Sequence, residues 1–227
     1  PPPPDRSLGY VWALYRSFDI FSAKTDGTDL KRLTTTDRYD AEGTVSPDGK
    51  KIVFTSLRSG DLEIWDMNID GSSPRQLTNE LGYDGGPWHS QDGQWIVWRA
   101  ARPKTPEDAQ SYKDLLAKDM VRPDKLEIML MKADGSEKRQ ITSNGKANFA
   151  PFFHPNGKQI IFASNVNNPN PRSANFDIYV INRDGTGLQQ ITFDEGFDGF
   201  PMFTNDGKKL IWASNRNGKI ETETNLF

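Results

Sequence analysis

Two short patterns recur along this chain at the same irregular spacing, and no other feature limits its fold so tightly. The first is a turn followed by an apolar run: Ser46-Pro47-Asp48-Gly49-Lys50-Lys51-Ile52-Val53-Phe54, then Ser90 to Trp98, His154 to Phe162 and Thr204 to Trp212. The second is an Asp-Gly turn that leads into Leu-Thr or Ile-Thr, at Asp26-Gly27 to Thr34, Asp70-Gly71 to Thr78, Asp134-Gly135 to Thr142 and Asp184-Gly185 to Thr192. Both step by 44, 64 and 50 residues. Two motifs that share so uneven a spacing belong to one structural unit repeated four times.

Each unit reads as four short strands. A brief first strand such as Pro151-Phe152-Phe153 is followed by an apolar second, such as Ile160-Ile161-Phe162; the third is exemplified by Ile178-Tyr179-Val180-Ile181, and the fourth ends in Leu-Thr or Ile-Thr. Pro presets φ and Gly supplies φ > 0 in the turn between the first two strands. Tight hairpins make neighbours antiparallel, so each unit is a four-stranded sheet of about 40 to 45 residues, the size of a propeller blade. The expected fold is an all-β propeller.

These residues resemble the repeat of the TolB-like β-propeller family: a Ser-Pro-Asp-Gly-Lys turn, an apolar strand, an aspartate-led strand such as Asp19-Ile20-Phe21 or Asp177-Ile178-Tyr179, and an Asp-Gly turn ending in Leu-Thr. The resemblance covers about residues 18 to 227. Three hallmark turns depart from the strict form at Gln91, at His154 and Asn156, and at Asn205, but all four keep the Gly. The family includes envelope scaffolds and propellers attached to peptidases, and its propellers are typically six-bladed. The resemblance therefore implies an exported, periplasmic or otherwise extracytoplasmic protein.

The expected division is a Pro-rich lead-in over 1–17, a half blade over about 18–36, and full blades over 40–80, 84–144 and 148–194. A further half blade covers 198–227, and the 84–144 blade carries a helical insertion at 101–125. The chain opens on four prolines without an initiator Met and stops in what reads as a strand, so it is expected to be about two-thirds of a ring from a longer protein.

Composition narrows the function. Among 227 residues, 28 Lys and Arg face 31 Asp and Glu, a net charge of −3, which argues against binding nucleic acid through phosphate contacts. With no Cys and only His89 and His154, disulfides and Cys-based zinc sites are excluded. No apolar run approaches the ~18 to 20 residues of a membrane-spanning helix. The nucleophile elbow, the His-Glu-x-x-His motif and the phosphate loop are all missing, and each His reads as a turn or packing residue. The expectation is a non-catalytic scaffold that binds another protein through its loop-rich face or its open propeller ends, with no cofactor and no direct membrane insertion. The alternatives are the propeller of a larger hydrolase or peptidase whose catalytic domain lies elsewhere, or a propeller with a Ca²⁺-binding channel.

Hairpin geometry sends both Asp-Gly turns of each blade to one face and all long insertions, at 99–126, 164–176 and 214–224, to the other, the expected binding face. In the longest, Thr105 caps a helix with Pro106 at its first position and Glu107 and Asp108 in its first turn. Ala109, Tyr112, Leu115 or Leu116, and Met120 make an apolar stripe that either packs on the propeller or docks a partner; Tyr112, Leu116 and Met120 are the candidate partner-binding residues.

Asp40, Asp84, Asn148 and Asp198 each sit eight positions before the hallmark Asp or Asn, ahead of the innermost strand, with Glu42 two positions further in. Their oxygens either accept backbone N–H bonds in their own loops or hold a Ca²⁺ ion at the channel mouth. Tyr39, Tyr83, Phe149 and Phe197 beside them read as packing between blades.

Overall fold

A computed structural model describes residues 8–168, 170, 175–204, 206–220 and 223–227. Residues 1–7, residues 169 and 171–174 of the Asn- and Pro-rich loop, Asn205 of the fourth hallmark turn and residues 221–222 lie outside the described residues.

The propeller architecture stands. The strands β1 (Trp12–Ala13), β2 (Phe21–Ser22) and β3 (Lys31–Arg32) are short, and β2 and β3 pair as a two-stranded sheet. The first four-stranded blade is β4 (Asp40–Val45), β5 (Lys51–Ser56), β6 (Glu63–Asn68) and β7 (Arg75–Gln76), in that order. The next uses β8 (Tyr83–His89) and β9 (Trp95–Ala101), is interrupted by α1 (Pro106–Leu116) and β10 (Met120–Val121), and resumes with β11 (Glu127–Lys132) and β12 (Arg139–Gln140). A third is β13 (Asn148–Phe153), β14 (Gln159–Ser164), β15 (Asp177–Asn182) and β16 (Gln189–Gln190). The last sheet is β17 (Asp198–Phe203), β18 (Leu210–Ser214) and β19 (Asn225–Leu226).

The chain divides into two compact units, one of residues 8–87 and 100–124, the other of 88–99 and 125–227. In the first, Ile52, Phe54 and Met67 form a buried cluster against Ile20, Leu33 and Trp65. In the second, Val97, Ile128, Leu130, Phe153, Ile160, Phe162 and Tyr179 lie in one core. Alternation on short strands, one face turned to each neighbouring layer, accounts for a fold with so small an apolar fraction.

The hallmark turn is a local hydrogen-bond device. The Ser46 hydroxyl donates to Asp48 at 2.6 Å and accepts from Lys51 N–H at 2.9 Å, while Gly49 takes φ 72° and its N–H reaches the Ser46 carbonyl. His154 fills the Ser position in the third copy, and its Nδ1 accepts from Asn156 N–H at 3.1 Å, so this histidine is a turn residue. Burial holds its pKa below the ordinary value.

Three local readings change. The inner strands are longer than the three-residue segment expected, and the polar column at Asp40, Asp84, Asn148 and Asp198 lies inside them. Within them Glu42, Gly86, Ala150 and Phe200 all take a positive φ, 48–61°, and in the β4–β5, β13–β14 and β17–β18 pairs that residue falls at a break in register. This extra left-handed residue is a β-bulge, invisible to simple alternation. Second, the final segment adds a third strand, since β19 pairs Leu226 with Ala213.

Third, the lead-in is partly structured. β1 pairs with β10, Ala13 opposite Met120, so Met120 belongs to a strand and not to the helical stripe. The helix occupies only 106–116 of the expected insertion. Its cap is as read: Thr105 accepts from Asp108 N–H at 3.1 Å, Pro106 opens the helix, and Glu107 and Asp108 fill the first turn. Thr105→Ala is expected to lower stability by about 1 kcal/mol in urea titrations, and Thr105→Ser to be nearly silent.

Candidate functional site

Each blade spends its recurrent carboxylates on itself. The residue that opens the third strand accepts from the Thr that ends the repeat: Thr34 to Asp19 at 2.9 Å, Thr142 to Glu127 at 2.6 Å, Thr192 to Asp177 at 3.1 Å, and Thr78 to Glu63. The same hydroxyl accepts the N–H of the next residue along, from Ile20, Ile64, Ile128 and Ile178, at 2.8–2.9 Å. This clasp ties the third strand to the end of its blade. It explains why the repeat closes on Thr.

The polar column forms a second clasp. Asp40 is fully buried and accepts from Arg58 at 2.9 Å, Thr36 at 2.8 Å and the Ser56 hydroxyl. Asp84, also fully buried, accepts from the Arg102 Nη2 on both of its carboxylate oxygens at 2.8 Å. Asp198 pairs with Arg216, 18 residues further on, as Arg58 and Arg102 stand to their partners. Asn148 is the exception: its position +18 is Val166, and its amide donates instead to the Leu126 carbonyl at 2.8 Å and to Glu127 at 3.1 Å.

Where the blade has an arginine it has an aspartate, and where it has none it has a neutral asparagine. A buried charge persists only when paired. The three column carboxylates are thus neutralised inside their own blades, by an arginine pairing that neither use read from the sequence had named. Among the described residues, no group of three or more His, Cys, Asp or Glu is placed to hold a metal ion. Sequence reasoning overlooked the arginines, although their constant offset from Asp, broken at Val166, was available.

In the first unit the two clasps collide. Glu63 is 2% exposed, and among the described residues its Oε2 receives no donor. The equivalent Glu127 Oε2 receives the Asn148 amide, but at Glu63 that neighbour is Asp84. Burial above all, then Asp84 and Asp61, push the Glu63 pKa up to about 8. Asp61 in turn accepts from Leu62 N–H at 2.8 Å, Gly82 N–H at 3.0 Å and the Tyr112 phenol. Burial, with Asp61 beside it, drives the Tyr112 pKa far above the ordinary phenol value.

That bond decides the insertion helix. Tyr112 turns inward to Asp61, Leu115 is buried, and Leu116 is half-buried, so the stripe packs on its own unit. Arg16 pairs with Asp119 at 2.9 Å and the Leu14 N–H reaches the Asp119 carbonyl at 2.7 Å, fastening the segment after the helix. Glu107, Gln110, Asp114 and Lys118 remain exposed on its other side.

Beside this cluster, within the same unit, lies a cavity of about 370 Å³ lined by residues 11–15, Tyr39, Glu42 and Tyr83. Four aromatic residues, Trp12, Tyr15, Tyr39 and Tyr83, are among its lining; Trp12 and Tyr83 meet edge to face at 6.3 Å. Glu42 contributes a carboxylate whose Oε2 accepts from Thr55 and from Gly86 N–H, both at 2.8 Å. At Gly85 a side chain would collide with the Tyr83 phenol and come within 2.9 Å of Glu42 Oε2, so the glycine lets ring and acid approach each other.

Residues 125–222 match the model of the TolB beta propeller domain. Among solved structures, TolB from Acinetobacter baumannii is 20% identical with a TM-score of 0.70, covering 91% of this chain and 44% of that one. The putative TolB from Agrobacterium tumefaciens is 22% identical with a TM-score of 0.57, covering 76% and 55%. Oligogalacturonate lyase from Vibrio parahaemolyticus is 13% identical with a TM-score of 0.62, covering 92% and 55%. The chain spans about half the length of these solved structures. No curated protein matches it in sequence.

Proposed function

We propose that this chain, a TolB-type β-propeller, is a non-catalytic binding module that holds another protein outside the cytoplasm through its loop-rich face. One observation carries the reading. The acidic residues that recur in every blade are consumed by clasps within the blades, whereas the longest departure from the repeat is folded into a fixed, polar-surfaced helix. A helix anchored beneath by Tyr112 and Asp61 presents Gln110 and Asp114, with Lys118 just past its end, without an ordering cost on association. The extracytoplasmic placement rests on the likeness to TolB; no helix among the described residues is long and apolar enough to cross a membrane.

A photo-crosslinking residue at Gln110 or Lys118, in protein expressed in its source, tests the reading. One discrete protein adduct is expected from both positions and none from Lys50, on the face of minimal turns. Adducts that appear equally at Lys50, or at none of the three, would overturn the assignment of the face. Labelling of the native protein by an active-site serine probe would overturn the non-catalytic reading.

A further inference from the structure

The cavity beside Glu42 has chemistry that the blade repeat does not require. At its position in the inner strand the four blades carry Glu42, Gly86, Ala150 and Phe200, all left-handed. Only a glycine is at ease there, and a glutamate bears a conformational cost that the bulge alone does not demand. Among these four, Glu42 is the one ionisable residue. In the second unit the equivalent positions carry phenylalanines in mutual contact: Phe200 lies 5.5 Å from Phe149, and Phe149 lies 6.3 Å from Phe197. In the first unit Tyr39 and Tyr83 share the cavity wall with the acid, and residues 11–15 complete it.

We propose that this cavity binds an organic cation, an ammonium or guanidinium group on a short alkyl stem. The faces of Trp and Tyr attract a cation through their quadrupoles, and a carboxylate held by Thr55 and Gly86 among its partners supplies a counter-charge at the wall when ionised. The apolar remainder of the wall, Val11 and Leu14, suits the stem. A volume of about 370 Å³ falls in the range of small-ligand sites and accommodates a lysine- or arginine-sized chain. The cation could be a free amine or a side chain of a bound polypeptide; the second source rests on the protein-binding reading above, the first does not.

Titration of the whole chain with n-butylammonium, n-butylguanidinium and the neutral 1-pentanol, followed by indole fluorescence and calorimetry, tests this. The cations are expected to bind at millimolar concentration or below, at least tenfold more tightly than the alcohol. Glu42→Gln keeps an acceptor for Thr55 and Gly86 and is expected to weaken the cations at least fivefold while leaving 1-pentanol unchanged. Trp12→Ala, on the covering segment, is expected to weaken them as well. Equal affinity for 1-pentanol, or cation binding unaltered in Glu42→Gln, would overturn the proposal. Blocked lysine and arginine amides separate the sources: binding equal to the free cations assigns a polypeptide side chain, and binding of the free cations alone assigns a small amine. Loss of cation binding leaves the crosslinks at Gln110 and Lys118 unaffected, so the two readings fail separately.

Discussion

Replacing Arg58 by Val is expected to destabilise the chain by about 3–5 kcal/mol, because it strands the fully buried Asp40 carboxylate without its counter-ion. The guanidinium also lies 5.0 Å from the ring centres of both Phe54 and Trp65, so packing is lost with the charge. The informative variant is the double one. Asp40→Asn with Arg58→Val reproduces the Asn148 and Val166 pair that the chain already uses two blades further on. The Asn side chain can accept from Ser56, as Asn148 accepts from Ser164 at 2.7 Å. Most of the single-variant loss should therefore be recovered in denaturant titrations. Additive losses in the double variant would show that Asp40 is held for some purpose other than pairing.

Stability should also fall as pH rises from about 5 to about 8, and Glu63 should account for the fall. Its pKa is about 8 in the folded chain against an ordinary 4.5. Between these values the folded form binds a proton that the unfolded form has lost. The stabilisation is complete below the lower value and disappears as pH passes the higher one. Each unit of difference is worth about 1.4 kcal/mol, so the loss is on the order of several kcal/mol. Glu63→Gln supplies a permanent amide donor toward Asp84. Its stability should vary less over that window and exceed that of the parent at pH 8.5. Parallel pH profiles for the two proteins would refute the assignment.

Both expectations depend on neighbours that a linear reading does not bring together. The hallmark turn was legible because its donors and acceptors lie within five residues, Ser46 to Lys51, and the helix start because Thr105, Pro106 and Asp108 are adjacent. Asp40 was legible as a repeated polar residue but not as half of an ion pair. Arg58 is 18 positions away, and only the register that places Asp40 opposite Ser56 brings the two together. Tyr112 was legible as part of an apolar stripe, yet its direction is set by Asp61, 51 residues earlier. The cavity was not legible at all, since Trp12 came from a segment read as a lead-in.

The sequence by itself determined the blade: two turn chemistries at one irregular spacing admit little besides a series of antiparallel hairpins, since turns and strand alternation are set by neighbouring residues. Only the tertiary structure decided what the polar residues do. Whether a buried aspartate waits for a metal, pairs with an arginine or forces a proton onto Glu63 depends on which charges stand within a few ångströms of it, and burial magnifies each of those interactions. Identical positions in successive blades acquired different chemistry because their neighbours differ.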